Sequence, residues 1–131
     1  MKPASDLPPG SSVRPRIRVL LGSDIALGPG KVDLLDAIEE AGTLAGAAQH
    51  LGMSYMRAWK LVQTMNACFR GPLVETTRGG KAHGHAALTG PGRAVRDLYR
   101  RMEAEFLVAV DGSWRELRAH LDEDDSISLT K

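Results

Sequence analysis

From Gly42 to Trp59 the chain reads GTLAGAAQHLGMSYMRAW, and few folds accept this stretch. Leu44, Ala47, Ala48 and Leu51 recur at i, i+3, i+4 and i+7, an apolar stripe along one helix face. Thr43 offers a capping hydroxyl before that helix. Gly52 closes it by adopting a left-handed conformation that most residues resist. Ser54 then caps a second helix, and the two alanines let a neighbouring helix come close. The layout is that of a helix-turn-helix.

The second helix is expected to run to about Phe69. Placed at 100° steps, Tyr55, Ala58, Trp59, Leu61, Val62, Met65 and Phe69 gather on one side. Met56, Arg57, Lys60, Gln63 and Thr64 occupy the opposite arc. The expectation is a core face set against a cationic, polar face. Arg suits guanine, Gln suits adenine and a hydroxyl suits either, so that arc has the residue types that contact phosphates and base edges. An ordinary amphipathic surface helix is the competing reading, and the tight connection to the Leu44–Leu51 stripe weighs against it.

The flanks supply context. Residues 1–12 are rich in Pro, Ser and Gly and read as a disordered tail. Val13 to Leu21 alternates, with Ile17, Val19 and Leu21 on one face and Arg14, Arg16 and Arg18 on the other, which predicts a half-buried strand. A turn at Gly22-Ser23-Asp24 leads to a short strand, Ile25 to Leu27, ended by Gly28-Pro29-Gly30. A first helix over Val32–Ala41 would bury Leu34, Leu35, Ile38 and Ala41.

After Gly71-Pro72, strands at Leu73–Thr77 and Ala86–Leu88 would enclose the basic, glycine-rich loop RGGKAHGH. Such a hairpin is a wing, laying Arg78, Gly79, Lys81, His83, Gly84 and His85 along a groove or backbone. The phosphate-binding loop G-x-x-x-x-G-K-[ST] is excluded, because Ala82 follows Lys81 and no glycine precedes at the required spacing. His83 and His85 form an H-x-H pair with no third ligand nearby, so no metal is assigned.

Thr89 is expected to cap a long fourth helix, with Pro91 in its first turn. Val95, Leu98, Met102, Phe106 and Ala109 recur close to heptad spacing with Tyr99 beside them, a pattern that often pairs with its twin. Packing on its own domain is the alternative. Asp111-Gly112 is expected to interrupt this helix, and Ser113 with Glu116 to form a capping box for a short one carrying Trp114, Leu117 and Leu121. The organisation expected is therefore a tail at 1–12, a winged helix-turn-helix at 13–89, helices for dimerisation at 90–121 and an acidic tail at 122–131. The fold class is mainly α with a small β wing. Val95, Leu98, Tyr99, Met102, Phe106 and Trp114 are the candidate dimer residues.

Composition narrows the function. With 131 residues, 43% hydrophobic and 25% charged, the chain suits one soluble domain with modest tails. Net charge is only +1, but nine Lys/Arg lie between Met53 and Arg101 against two acids, Glu75 and Asp97. The nine are Arg57, Lys60, Arg70, Arg78, Lys81, Arg93, Arg96, Arg100 and Arg101. The acids concentrate elsewhere, at Asp33, Asp36, Glu39, Glu40 and Asp122–Asp125, so the middle has the electrostatic footprint of a nucleic-acid binder. Cys68 is the only cysteine and reads as a buried structural thiol. The N-terminus has no apolar h-region and no segment is apolar enough to span a bilayer, so a cytoplasmic protein is expected. No nucleophile–base pair, metal cluster or paired carboxylates in an apolar setting stands out, so neither an enzyme nor a cofactor is expected.

The residues now carry a resemblance. LLDAIEEAGTLAGAAQHLGMSYMRAWKLVQTMN followed by PLVETTRGGKAHGHAALTGPG resembles the N-terminal domain of ModE-type molybdate-responsive regulators, itself similar to the LysR-type winged helix. The likeness spans roughly residues 16–110. Its most specific pieces are Met53–Trp59 with Met65-Asn66, the GGKxxGxA wing at Gly79–Ala86, and LTxxG at Leu88–Gly92. It implies a dimer binding operator DNA with the helix after Gly52 in the major groove. Ser54, Tyr55, Arg57 and Lys60 would then be recognition contacts, Thr43 would touch phosphate, and Arg78, Gly79, Lys81 and Gly84 would form the wing. Arg93 to Val110 would be the dimer arm. Family members carry C-terminal oxyanion-binding modules, and the tail here is too short for one, so molybdate sensing is not carried over. The expected function is a sequence-specific, DNA-binding transcriptional regulator. The alternative is a winged helix that regulates a partner protein instead.

Overall fold

The element order is β1 (Val19–Leu21), β2 (Asp24–Leu27), α1 (Pro29–Ala41), α2 (Leu44–Leu51), α3 (Tyr55–Cys68), β3 (Val74–Thr77), β4 (His85–Leu88) and α4 (Gly90–Arg118). The computed structural model describes residues 10–77 and 84–122, so the expected tails fall almost wholly outside it. Residues 16–102 form one unit, and 103–122 belong to a second with 10–15.

In the first unit the chain enters through a hairpin shorter than the alternation predicts. β1 pairs antiparallel with β2 as Val19↔Leu27, Leu20↔Ile25 and Leu21↔Asp24, with an irregularity after Val19 that leaves Ala26 as the extra residue. That bulge breaks the two-residue period, which is how Ala26 and Leu27 both turn inward. Leu21, expected to face the core, pairs with Asp24 at the hairpin end and is exposed.

Helix α1 begins three residues before its expected start. Gly28-Pro29-Gly30 is a helix start: Gly28 is the extended N-cap, and Pro29 suits the first turn because its missing N–H would have no intrahelical partner. Val32, Leu34, Leu35, Ala37 and Ile38 are buried, while Ala41, expected inside, is exposed. The Gly42 N–H closes α1 on the Ile38 carbonyl at 2.9 Å.

In α2 the Thr43 hydroxyl accepts the Gly46 N–H at 2.9 Å, and Leu44, Ala47 and Ala48 are buried. A Cβ on Gly46 would stand 2.8 Å from that hydroxyl, so the cap requires glycine there. Gly52 ends the helix at φ 69°, the left-handed region glycine enters without steric cost. Ser54 Oγ then accepts the Arg57 N–H at 3.0 Å and starts α3. The helix-turn-helix therefore forms with the caps its sequence announces.

The wing strands pair in register, Val74↔Leu88 through Thr77↔His85, with Val74, Ala86 and Leu88 buried. Thr89 links this hairpin to α4. Its hydroxyl donates to the Pro72 carbonyl at 2.7 Å and accepts the Gly92 N–H at 2.9 Å. Gly92 lies directly on β3's approach, where an added Cβ would meet the Leu73 carbonyl oxygen at 2.0 Å. Tyr99, read from sequence as a dimer residue, is instead a core residue: it is 1% exposed and its hydroxyl donates to the Ile17 carbonyl at 2.7 Å.

Helix α4 does not stop at Asp111-Gly112 but continues to Arg118 without a second helix start. A mid-helix glycine costs about 1 kcal/mol against alanine, too little to break a helix this long. An exposed Arg115–Asp111 pair at 3.0 Å spans the glycine one turn apart. In the second unit α4 leaves Leu107, Val108 and Leu117 exposed and Phe106, Val110 and Trp114 half-buried.

Two glycines of one helix should therefore respond oppositely to alanine. Gly92→Ala forces the Cβ into the Leu73 carbonyl and should cost about 1–3 kcal/mol or more. Gly112→Ala meets nothing within 4 Å. It should gain about 0.5–1 kcal/mol. Urea denaturation of both variants reads the two signs.

Candidate nucleic-acid interface

Helix α3 turns Ala58, Val62 and Met65 into the core. Met56, Arg57, Lys60, Gln63 and Thr64 lie exposed on the outer arc, as the sequence predicts. Ser54, Met56, Arg57, Lys60 and Leu61 line a shallow concavity of about 330 Å³. Among the described residues Arg57 and Lys60 have no ion-pair partner, so both charges face outward. Thr64 Oγ1 folds back to donate to the Lys60 carbonyl at 3.0 Å.

The buried face of α3 is narrower than expected. Tyr55 is 47% and Trp59 38% exposed, although both share the helical side that periodicity assigns to the core. Periodicity reports which residues share a face, and neighbouring elements decide how far along the helix that face is covered. Cys68, expected to be buried, is half-buried.

The helix N-termini carry the two capping hydroxyls, Thr43 and Ser54, each accepting a backbone N–H. Such ends favour anions, because unpaired N–H groups and the helix dipole converge there. The wing base is joined to the first of these ends. The Ala86 N–H donates to the Gly42 carbonyl at 2.9 Å, the Leu44 N–H donates to the Gly84 carbonyl at 3.3 Å, and Thr43 bridges His85. Gly84 has φ +85° and donates its N–H to the Thr77 carbonyl at 2.8 Å, while His85 is exposed beside it. Arg78, Gly79, Lys81 and His83, the rest of the expected wing contacts, lie outside the described residues.

Two features escape sequence reasoning. The first is Asn66, present in the family-like motif but with no role assigned from the residues. Its Oδ1 accepts the Leu73 and Val74 N–H groups at 2.8 and 3.2 Å, and its Nδ2 donates to the Val74 carbonyl at 3.0 Å. One amide thus fastens the end of α3 to the first wing strand.

The second corrects the basic footprint. Arg96 meets Asp36 at 2.9 Å, Glu39 at 2.6 Å and its neighbour Asp97 at 2.7 Å. Arg100 meets Asp36 at 2.6 Å and Asp33 at 3.1 Å. Hydrogen bonds to Asp97 first, then Glu39, push the Arg96 pKa up. These arginines belong to an α1–α4 network, not to a free cationic surface. Arg93, though exposed, also folds back on its own unit, donating to the Leu88 carbonyl at 3.1 Å. The i, i+3 spacing of Asp33 and Asp36 and the i, i+4 spacing of Arg96 and Arg100 are the only sequence signals. Neither names its partner across about sixty residues.

No protein-family model matches the chain. Over 96 residues it is 38% identical to the molybdenum transport protein ModE of Azotobacter vinelandii, a match covering 72% of this chain and 36% of that protein. Over 71 residues it is 37% identical to the DNA-binding transcriptional dual regulator ModE of Escherichia coli K12, covering 54% and 27%. The chain thus spans about a third of the length of these curated relatives. Among solved structures it is similar to the CbnR DNA-binding domain in its complex with DNA, with a TM-score of 0.54 and 26% identity, covering 68% of this chain and 97% of that one.

Removing the Asn66 amide should loosen the α3–β3 seam. Asn66→Ala leaves the Leu73 and Val74 amides without their acceptor and should cost about 1–3 kcal/mol. Asn66→Asp keeps the acceptor but sets a carboxylate oxygen against the Val74 carbonyl in place of the donor, so only part of the loss should be recovered. Denaturation midpoints at neutral pH compare the two.

Proposed function

We propose, starting from a winged helix-turn-helix domain of the ModE type with a LysR-like fold, that the chain binds duplex DNA and regulates transcription. In this reading α3 enters the major groove of an operator and the β3–β4 wing follows the adjacent backbone. The observation that carries it is the outward face of α3, where Arg57 and Lys60 stand exposed at the end of a helix-turn-helix. Two similarities support it: the domain matches a DNA-binding domain solved on DNA, and the E. coli relative is named as a DNA-binding transcriptional regulator.

The protein acts as a dimer in this reading, with α4 as the arm. Leu98 and Met102 are exposed on it and Val95 is half-buried beside them. In the second unit the candidate dimer residues Phe106 and Trp114 are half-buried. A two-fold operator would present the same face to each copy.

Phosphate contacts supply affinity and base contacts supply choice. Log affinity for duplex DNA should then fall with log salt, with a slope of about −0.9 per phosphate neutralised. Arg57→Ala should erode the preference for a pool-selected sequence over random DNA. Lys81→Ala should weaken both alike. Fluorescence anisotropy across a salt series measures all of these. Salt-independent binding rejects the reading, and equal losses for the two variants reject the division of roles.

A further inference from the structure

The outer surface of α3 is not uniformly polar. Tyr55 is 47%, Met56 56% and Trp59 38% exposed. At about 100° per residue these three occupy one arc roughly 100° wide, and Lys60 and Arg57 occupy the next. Tyr55 and Trp59 are one turn apart, and Met56 lies three residues before Trp59 at the border with Arg57 and Lys60, with which it lines the concavity, so the three apolar residues lie along one edge of the cationic face. Two lanes therefore run side by side on one helix, one apolar and aromatic, one cationic. A surface helix that met only water would have little reason to hold three large apolar side chains beside its positive charges.

The adjacent charge says what covers the strip. Arg57 and Lys60 have no ion-pair partner among the described residues, so an occupant anionic along one side and apolar along the other would complement both. The major groove meets that description. Its walls are phosphates, and the one apolar group on its floor is the C5-methyl of thymine. We propose that Tyr55, Met56 and Trp59 are specificity-determining residues that seat thymine methyl groups, while Arg57 and Lys60 contact phosphates and guanine. The proposal rests on the DNA-binding reading above and adds to it which base the helix seeks and which side chains do the seeking.

Two alternating duplexes test it, poly(dA-dT) and poly(dA-dU), which differ only in the C5-methyl. Burying one methyl corresponds to about a fourfold gain in affinity, so one or two seated methyls should favour the thymine polymer by roughly 4- to 15-fold. Met56→Ala and Trp59→Ala should each shrink that ratio toward one and leave the salt slope unchanged. Arg57→Ala should weaken binding to both polymers alike. Trp59 is partly packed, so circular dichroism should accompany its variant, and the more exposed Met56 keeps the test independent of folding. Equal affinity of the wild-type protein for the two polymers overturns the thymine lane and leaves DNA binding standing. A preference that survives both substitutions reports duplex shape and overturns it as well. Failure to bind either polymer at low salt overturns the DNA-binding reading itself, and a protein partner for this face would then be sought.

Discussion

The geometry of the helix-turn-helix and its wing depends on a corner of three residues, Gly42 to Leu44. The first N–H groups of a helix have no partner within it, and they need one from outside. Here the Leu44 N–H finds the Gly84 carbonyl of the wing, and the Gly42 carbonyl accepts the Ala86 N–H in return. The start of α2 is therefore completed by the wing, and the wing finds its anchoring partners at the turn between α1 and α2. Neither the helix pair nor the hairpin can shift without breaking bonds in the other.

The first wing strand, β3, has its own anchors. Asn66 grips β3 from α3, and Thr89 with Gly92 grips the Pro72-Leu73 segment from α4. The wing hairpin is clamped between two helical elements along both of its strands. In the DNA-binding reading proposed above, this anchoring of the wing base would matter, because a phosphate contact made by the wing fixes register only if its base keeps its distance from α3.

How much of this was legible in the residues depends on the range of the interaction. Thr43, Gly52 and Ser54 act over three to four residues, and the sequence shows them plainly. The pairing of Arg96 and Arg100 with Asp33 and Asp36 acts across about sixty residues. Counting charges along the chain therefore overstated the free positive surface. Gly28-Pro29-Gly30 and Asp111-Gly112 misled for a related reason. Glycine and proline punctuate only when the neighbouring structure agrees: Pro29 opens α1, and Gly112 is carried through by the helix on both sides. The exposure of Tyr55 and Trp59 was hidden because a helical wheel has no knowledge of where packing partners end.

The capping hydroxyls of α2 and α3 have capacity beyond their structural duty. Thr43 Oγ1 and Ser54 Oγ each use a lone pair to accept a backbone N–H. A hydroxyl also has a proton to give, and that proton is not needed for the cap. A phosphate oxygen lying over either helix end would therefore accept from the hydroxyl without disturbing the helix. Replacing Thr43 by alanine would remove cap and contact together. Asparagine, with an amide that both accepts and donates, is the substitution that preserves the cap while changing the reach to a phosphate.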